Sequence, residues 1–102
     1  MSFRVVIEQE AEREFAEAVE FYDEREPGLG QRFAREVNAF FKIVCENPER
    51  FPLASRLTRK ARIPSPWPYS AYFAIKRETS QVVISVIWHG ARNPAQLRRR
   101  LK

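Results

Sequence analysis

Residues 27–30, Pro-Gly-Leu-Gly, decide the fold, because they separate two runs that both carry helical periodicity. Before them, Ala11, Phe15, Ala18 with Val19, and Tyr22 recur every three to four residues, while Glu10, Glu12, Arg13, Glu14, Glu17 and Glu20 take the other faces. That spacing predicts an amphipathic helix from residue 8 to 23 or 24. After them, Phe33, Val37, Phe40 with Phe41, and Val44 repeat the period as far as Asn47. Pro48 stops it, since proline disfavours helical geometry in the residue before it and has no N–H for the helix ladder. Two helices joined by so tight a turn predict an antiparallel hairpin.

Outward from the hairpin the period falls to two. Phe3, Val5 and Ile7 alternate with Arg4, Val6 and Glu8, the pattern of a short strand with one face buried. Beyond an irregular stretch that begins at Phe51 and Pro52, three further segments read as strands. Residues 57–63 interleave Arg59, Lys60 and Arg62 with Leu57, Ala61 and Ile63; 69–75 are aromatic and apolar; 82–88 are β-branched almost throughout. Apolar on both faces, 82–88 is expected at the centre of the sheet. Pro64, Pro66 and Pro68 mark a loop or edge, and Glu78-Thr79-Ser80 is short enough for a hairpin. Residues 94–102 read as one helical turn or a frayed basic end. The expectation is one domain over 1–102, of class α+β. Its N-terminal strand and antiparallel helical hairpin pack on a mostly antiparallel three- to four-stranded sheet.

Composition narrows the function classes. With 44% hydrophobic and 13% aromatic residues in 102, the chain is too rich in core-forming side chains to be disordered, and a domain of this length buries roughly 60–70% of its unfolded surface. The lone Cys45 rules out a disulfide scaffold and makes a reducing compartment the default. The first residues lack the apolar segment of a secretion signal, and no apolar run approaches the ~18 residues that span a bilayer. A cytoplasmic protein with no membrane partner is expected.

The net charge of +5 conceals a division. Residues 1–50 carry 7 Lys/Arg against 12 Asp/Glu, and residues 51–102 carry 11 against 1. Arg56, Arg59, Lys60 and Arg62 lie on and before one strand; Lys76 and Arg77 end the next; Arg92 follows the last; Arg98, Arg99, Arg100 and Lys102 crowd the tail. So one-signed a half points to an acidic partner rather than to ordinary solubility. Adjacent like charges such as Glu20 and Glu24 suggest that some helix acid meets basic groups elsewhere in the fold.

The other chemistry-bearing residues are sparse. One histidine, His89, and one cysteine, Cys45, are too few for a zinc site, so neither a metal nor a cofactor is expected. Nothing places the two together as a nucleophile and base, and Cys45 reads as a buried structural thiol. Gly28-Leu29-Gly30 lacks the Lys and Ser/Thr of a phosphate loop and follows a helix, so it is a turn.

In order and spacing, several words of the sequence resemble the toxins of the RelE/ParE superfamily of bacterial toxin-antitoxin pairs, also called plasmid stabilisation proteins. They are Glu20-Phe21-Tyr22-Asp23-Glu24-Arg25; Pro27-Gly28-Leu29-Gly30 leading to Arg32-Phe33; Asn47-Pro48-Glu49-Arg50-Phe51-Pro52; Trp67-Pro68-Tyr69; and Val86-Ile87-Trp88-His89-Gly90-Ala91-Arg92-Asn93-Pro94. The resemblance covers essentially the whole chain and implies a toxin held inactive by a small acidic antitoxin encoded beside it. It implies one of two activities: RelE-like members cut messenger RNA on the ribosome with basic sheet residues, and ParE-like members inhibit DNA gyrase.

Cleavage without a metal needs cations converging on one phosphate and a group to take the 2′-hydroxyl proton. In a nuclease these would be Arg92, Arg62, Lys60 and Arg59. Nuclease members commonly place an arginine after the aromatic residue that opens the middle strand, where this chain has Ser70, and a tyrosine in the tail, where residues 93–102 have none. The resemblance therefore leans to the ParE-like, gyrase-inhibiting reading, with Arg92, Arg98, Arg99 and Arg100 as target-binding residues and no antitoxin contact assigned. The alternatives are the ribosome-dependent endoribonuclease and a non-toxic binding module that retains only the antitoxin interface.

Overall fold

The computed structural model describes residues 2–101; Lys102, counted above with the basic tail, lies outside them. Strand β1 (Arg4–Ile7) leads into helix α1 (Gln9–Arg25), the turn and helix α2 (Leu29–Glu46), followed by a short 3-10 turn at Pro48–Arg50. Strands β2 (Arg59–Arg62), β3 (Tyr69–Lys76) and β4 (Gln81–His89) complete the sheet, and helix α3 (Pro94–Leu101) closes the described chain. The strand order is β1-β4-β3-β2. β2, β3 and β4 are antiparallel neighbours, and β1 joins β4 in parallel, so β4 lies inside the sheet as its apolar sequence required. Among the described residues no helix is long and apolar enough to cross a membrane.

The turn works as its glycines dictate. Gly28 has φ +90°, left-handed backbone that only glycine adopts without cost. Gly30 lets the two helices close on each other: a Cβ there would drive into the Val19 carbonyl and lie 2.7 Å from Cγ of Asp23, whose Oδ1 accepts the Gly30 N–H at 2.7 Å. Below them Phe33, Val37, Phe41 and Val44 of α2 and Ala11 and Ala18 of α1 are buried against Ala71, Phe73, Val82, Ile84 and Ile87 of the sheet. Phe33 packs edge-on to Phe15 and Trp67, and Tyr22 also meets Trp67 edge-on.

An irregularity in β4 gives the sheet a second apolar face. Tyr72 pairs with Val86 but Phe73 with Ile84, which leaves Ser85 as an extra residue in β4. Such a bulge reverses the inside–outside alternation beyond it. Val82 and Ile84 before it, and Ile87 after it, face the hairpin; Val86 and Trp88 fall on the opposite side with Tyr72, where Leu101 and Leu97 of α3 cover them. This explains the tail. Residues 94–101 are a docked helix rather than one turn or a frayed end, because two leucines spaced four apart have an apolar surface to bury. Leu57, expected to alternate inward, is instead 72% exposed, since β2 starts only at Arg59.

Two outcomes test this packing. Gly30→Ala must push the helices apart, and overpacking of this kind costs about 2–3 kcal/mol, read as a lower urea midpoint at unchanged slope. The second concerns Glu36, whose carboxylate is held below its usual range by hydrogen bonds from Arg32 Nε and from Trp67 Nε1, each 2.8 Å. A depressed folded-state value stabilises above the unfolded carboxyl value, and that contribution disappears as pH falls through the depressed one. Trp67 emission is therefore expected to titrate with a midpoint below the ordinary 4.5, and Glu36→Gln to abolish that step.

Candidate functional site

The outer face of the sheet, away from the hairpin, carries the candidate site. Alternation along β2 separates its three cations: Lys60 sits opposite Tyr72 and Arg62 opposite Ser70, on the outer face, while Arg59 is opposite Phe73, on the inner one. Arg59 therefore does not join the others. Its Nη1 donates to the Phe51 and Glu49 carbonyls at 2.7 and 3.2 Å, fastening the 3-10 turn to β2. Lys60, Arg62, Ser70, Tyr72, Trp88 and Arg92 line a cleft of about 350 Å³, whose far wall is formed by Pro94 and Leu97.

Arg92 stands at its rim. The guanidinium lies 3.7 Å from the centroid of the Trp88 ring, a stacked cation–π contact, and Nη1 is 3.6 Å from Oε2 of Glu14. Its side chain stays 47% exposed, so it is held in place yet open to a partner. Trp88 is itself 4% exposed, and its indole N–H is a buried donor without a partner among the described residues. Burial pushes the Tyr72 hydroxyl up, so it stays protonated at neutral pH. Three cations and aromatic surface suit an anionic group such as a carboxylate or phosphate. Among the described residues no carboxylate or imidazole lines the cleft itself, and the Glu14 carboxylate touches it only through Arg92.

The tail arginines divide by helical phase. Arg98 and Arg99 are exposed, but Arg100 turns inward and is not a free target-binding group. Its Nη1 meets Glu14 Oε2 at 2.7 Å, its Nε lies 3.5 Å from Glu10, and its Nη2 donates to the Ser85 carbonyl at 2.9 Å. The hydrogen bond to Glu14 pushes Arg100 above its ordinary value despite burial. Glu14 Oε1 also accepts the Ile87 N–H at 2.9 Å. This acid was not singled out in the sequence, where it is one of several on α1. Its signals were the crowding of like charges on α1, which pointed to basic partners elsewhere in the fold, and its place on the face that carries Glu10, four residues before it.

The remaining reactive groups lie elsewhere. His89 faces the hairpin side, its ring edge-on to Tyr69 at 5.0 Å and its Nδ1 accepting the Ala91 N–H at 2.9 Å. Burial, with Tyr22 nearby, pushes Tyr69 up to about 12. Cys45 is buried, its thiol raised by burial, and its carbonyl accepts the Phe3 N–H beside the start of β4, whereas His89 is at that strand's other end. Among the described residues no three His, Cys, Asp or Glu side chains form a metal-binding group.

This architecture is found in solved structures of toxin-antitoxin proteins. One match is a chain of the chromosomal ParDE TA system from P. aeruginosa, at TM-score 0.73 and 15% identity, covering 86% of this chain and 96% of that one. Another is a double mutant of E. coli toxin RelE in the free state, at TM-score 0.65 and 12% identity, covering 99% and 95%. The fold is thus that of the ParE and RelE toxins. No curated protein matches the sequence. The family model of the ParE toxin of the type II toxin-antitoxin system parDE matches residues 5–94, and the chain belongs to that family.

Removing the Glu14 carboxylate tests how the site is anchored. Glu14→Ala strands both the Arg100 guanidinium and the Ile87 N–H, and is expected to cost about 2–3 kcal/mol with faster amide exchange at Ile87 and in α3. Glu14→Gln, which keeps an acceptor for the Ile87 N–H, should lose less.

Proposed function

We propose that this protein is a toxin that inhibits DNA gyrase by protein–protein contact and is neutralised by a cognate acidic antitoxin encoded beside it, in the cytoplasm. The observation that carries the reading is the cleft itself. It presents Lys60, Arg62 and Arg92, and the one carboxylate beside them, Glu14, is already committed to Arg100 and the Ile87 N–H, an arrangement fitted to hold an acidic surface rather than to move a proton. Membership of the ParE family points the same way. Arg92 is the central contact, with Arg98 and Arg99 extending the positive surface along α3. The antitoxin, by this reading, orders an acidic segment over the basic outer face, a coupled folding and binding that screens the charge.

A second reading has an observation of its own. Lys60, Arg62 and Arg92 converge beside Tyr72 and Trp88, as phosphate charge neutralisation in a ribosome-dependent endoribonuclease would require, and the fold of RelE covers 99% of this chain.

One experiment separates these. The purified protein is titrated into a gyrase supercoiling assay, and message ends are mapped after induction in cells. Inhibition of supercoiling that falls at least tenfold in Arg92→Ala, with messages intact, is the expected result. Unaffected supercoiling sinks the gyrase reading, and cut messages that depend on Arg92 establish the nuclease. Induction with no effect on growth leaves a module that only binds an antitoxin.

A further inference from the structure

β1 forms the edge of the sheet farthest from β2 and the cleft, and its backbone limits what that edge can pair with. The Arg4 N–H donates to Ser80 at 2.8 Å and the Glu8 N–H to Ile84 at 2.9 Å. Successive residues of a strand turn their N–H and C=O to opposite sides, so Arg4, Val6 and Glu8 spend theirs on β4. Val5 and Ile7 turn theirs outward. At one end the next outward group, the Phe3 N–H, is already taken by the Cys45 carbonyl at 3.0 Å; at the other the chain leaves the sheet into α1 at Gln9. The free edge is therefore a window of residues 4–8, with Val5 39% and Val6 37% exposed.

In one antiparallel register a second copy of the same strand satisfies all the outward groups. Val5 then faces Ile7 of the copy, and Ile7 faces Val5, as two hydrogen-bonded pairs. Val6 meets Val6 across the two-fold axis, and Arg4 and Glu8 face each other at both ends. Shifting the register by two residues leaves only one such hydrogen-bonded pair and breaks both charge pairs. Charged residues ordinarily guard an edge strand against pairing, but these two are complementary to each other in this alignment alone. Val6 also adjoins Val83 on β4, which continues the apolar row.

We propose that β1 pairs with β1 of a second copy, antiparallel about Val6, joining two four-stranded sheets into one while leaving both basic clefts open. Strands this short bury far less than the ~1,200 Å² of a stable complex, so the association is weak, with Kd on the order of 100 µM.

Sedimentation equilibrium on the whole protein, from about 10 µM to about 1 mM, reads the mass as it rises from 12.0 kDa towards twice that value. Arg4→Glu sets like charges against each other at both ends and is expected to weaken association at least tenfold. Glu8→Arg should act alike, although Glu8 also contributes to the field at Arg100. The double variant Arg4→Glu with Glu8→Arg restores the pairs and should restore the dimer. All these positions are exposed, and circular dichroism confirms that each variant folds. A protein monomeric to 1 mM, a dimer indifferent to the single reversals, or a double variant that fails to recover overturns the proposal. So does a monomer whose antitoxin binding is lost in Val5→Pro, since the edge then serves another chain.

Discussion

The Glu14 carboxylate ties together the three parts of the molecule that carry the candidate site. β1 runs alongside β4 only as far as Ile84, so the last third of β4 has a neighbour on one side alone. Two backbone groups on that open side, the Ser85 carbonyl and the Ile87 N–H, have no strand to pair with, and backbone groups left without partners are costly. Glu14 accepts from Ile87, and Arg100, held by Glu14, donates to Ser85. One ion pair thus finishes the sheet edge, fastens α3 to it, and sets a negative charge beside Arg92.

The bulge at Ser85 makes that arrangement useful. Without it β4 would keep one set of side chains towards the hairpin along its whole length. With it, Trp88 and Val86 emerge on the outer face, where they give α3 a surface to dock on and give Arg92 a ring to stack against. The hydrophobic core and the cleft are the two sides of one strand. A substitution that disturbs the register near residue 85 would therefore reach both.

Charge behaves less simply than the division of the sequence suggests. The acidic first half and basic second half do separate into hairpin and sheet, yet part of each is neutralised within the fold: Arg100 by Glu14 and Glu10, and Arg77 by Glu49. Lys60, Arg62, Arg98 and Arg99 have no ion pair among the described residues, and with the half-committed Arg92 they form the basic surface to which the proposed function assigns a partner. Arg59 could have been set apart from the sequence by strand parity alone, because it alternates with Lys60 and shares its face with Ala61. Arg100 could not, since its inward turn depends on α3 docking, which depends in turn on the bulge.

The sequence alone determined the elements and their order. Its hydrophobic periods, its Pro/Gly turn and its doubly apolar strand are local signals, and each describes a segment's own need to bury one face. It also fixed the family, since words spread along the whole chain keep their order. That Arg100 turns inward, that the tail is a packed helix, and that one acid among many on α1 is the anchor were decided by tertiary structure. Those outcomes rest on a single inserted residue in β4 and on the early end of β1, and both are pairing events between segments distant in the chain. No local pattern encodes them.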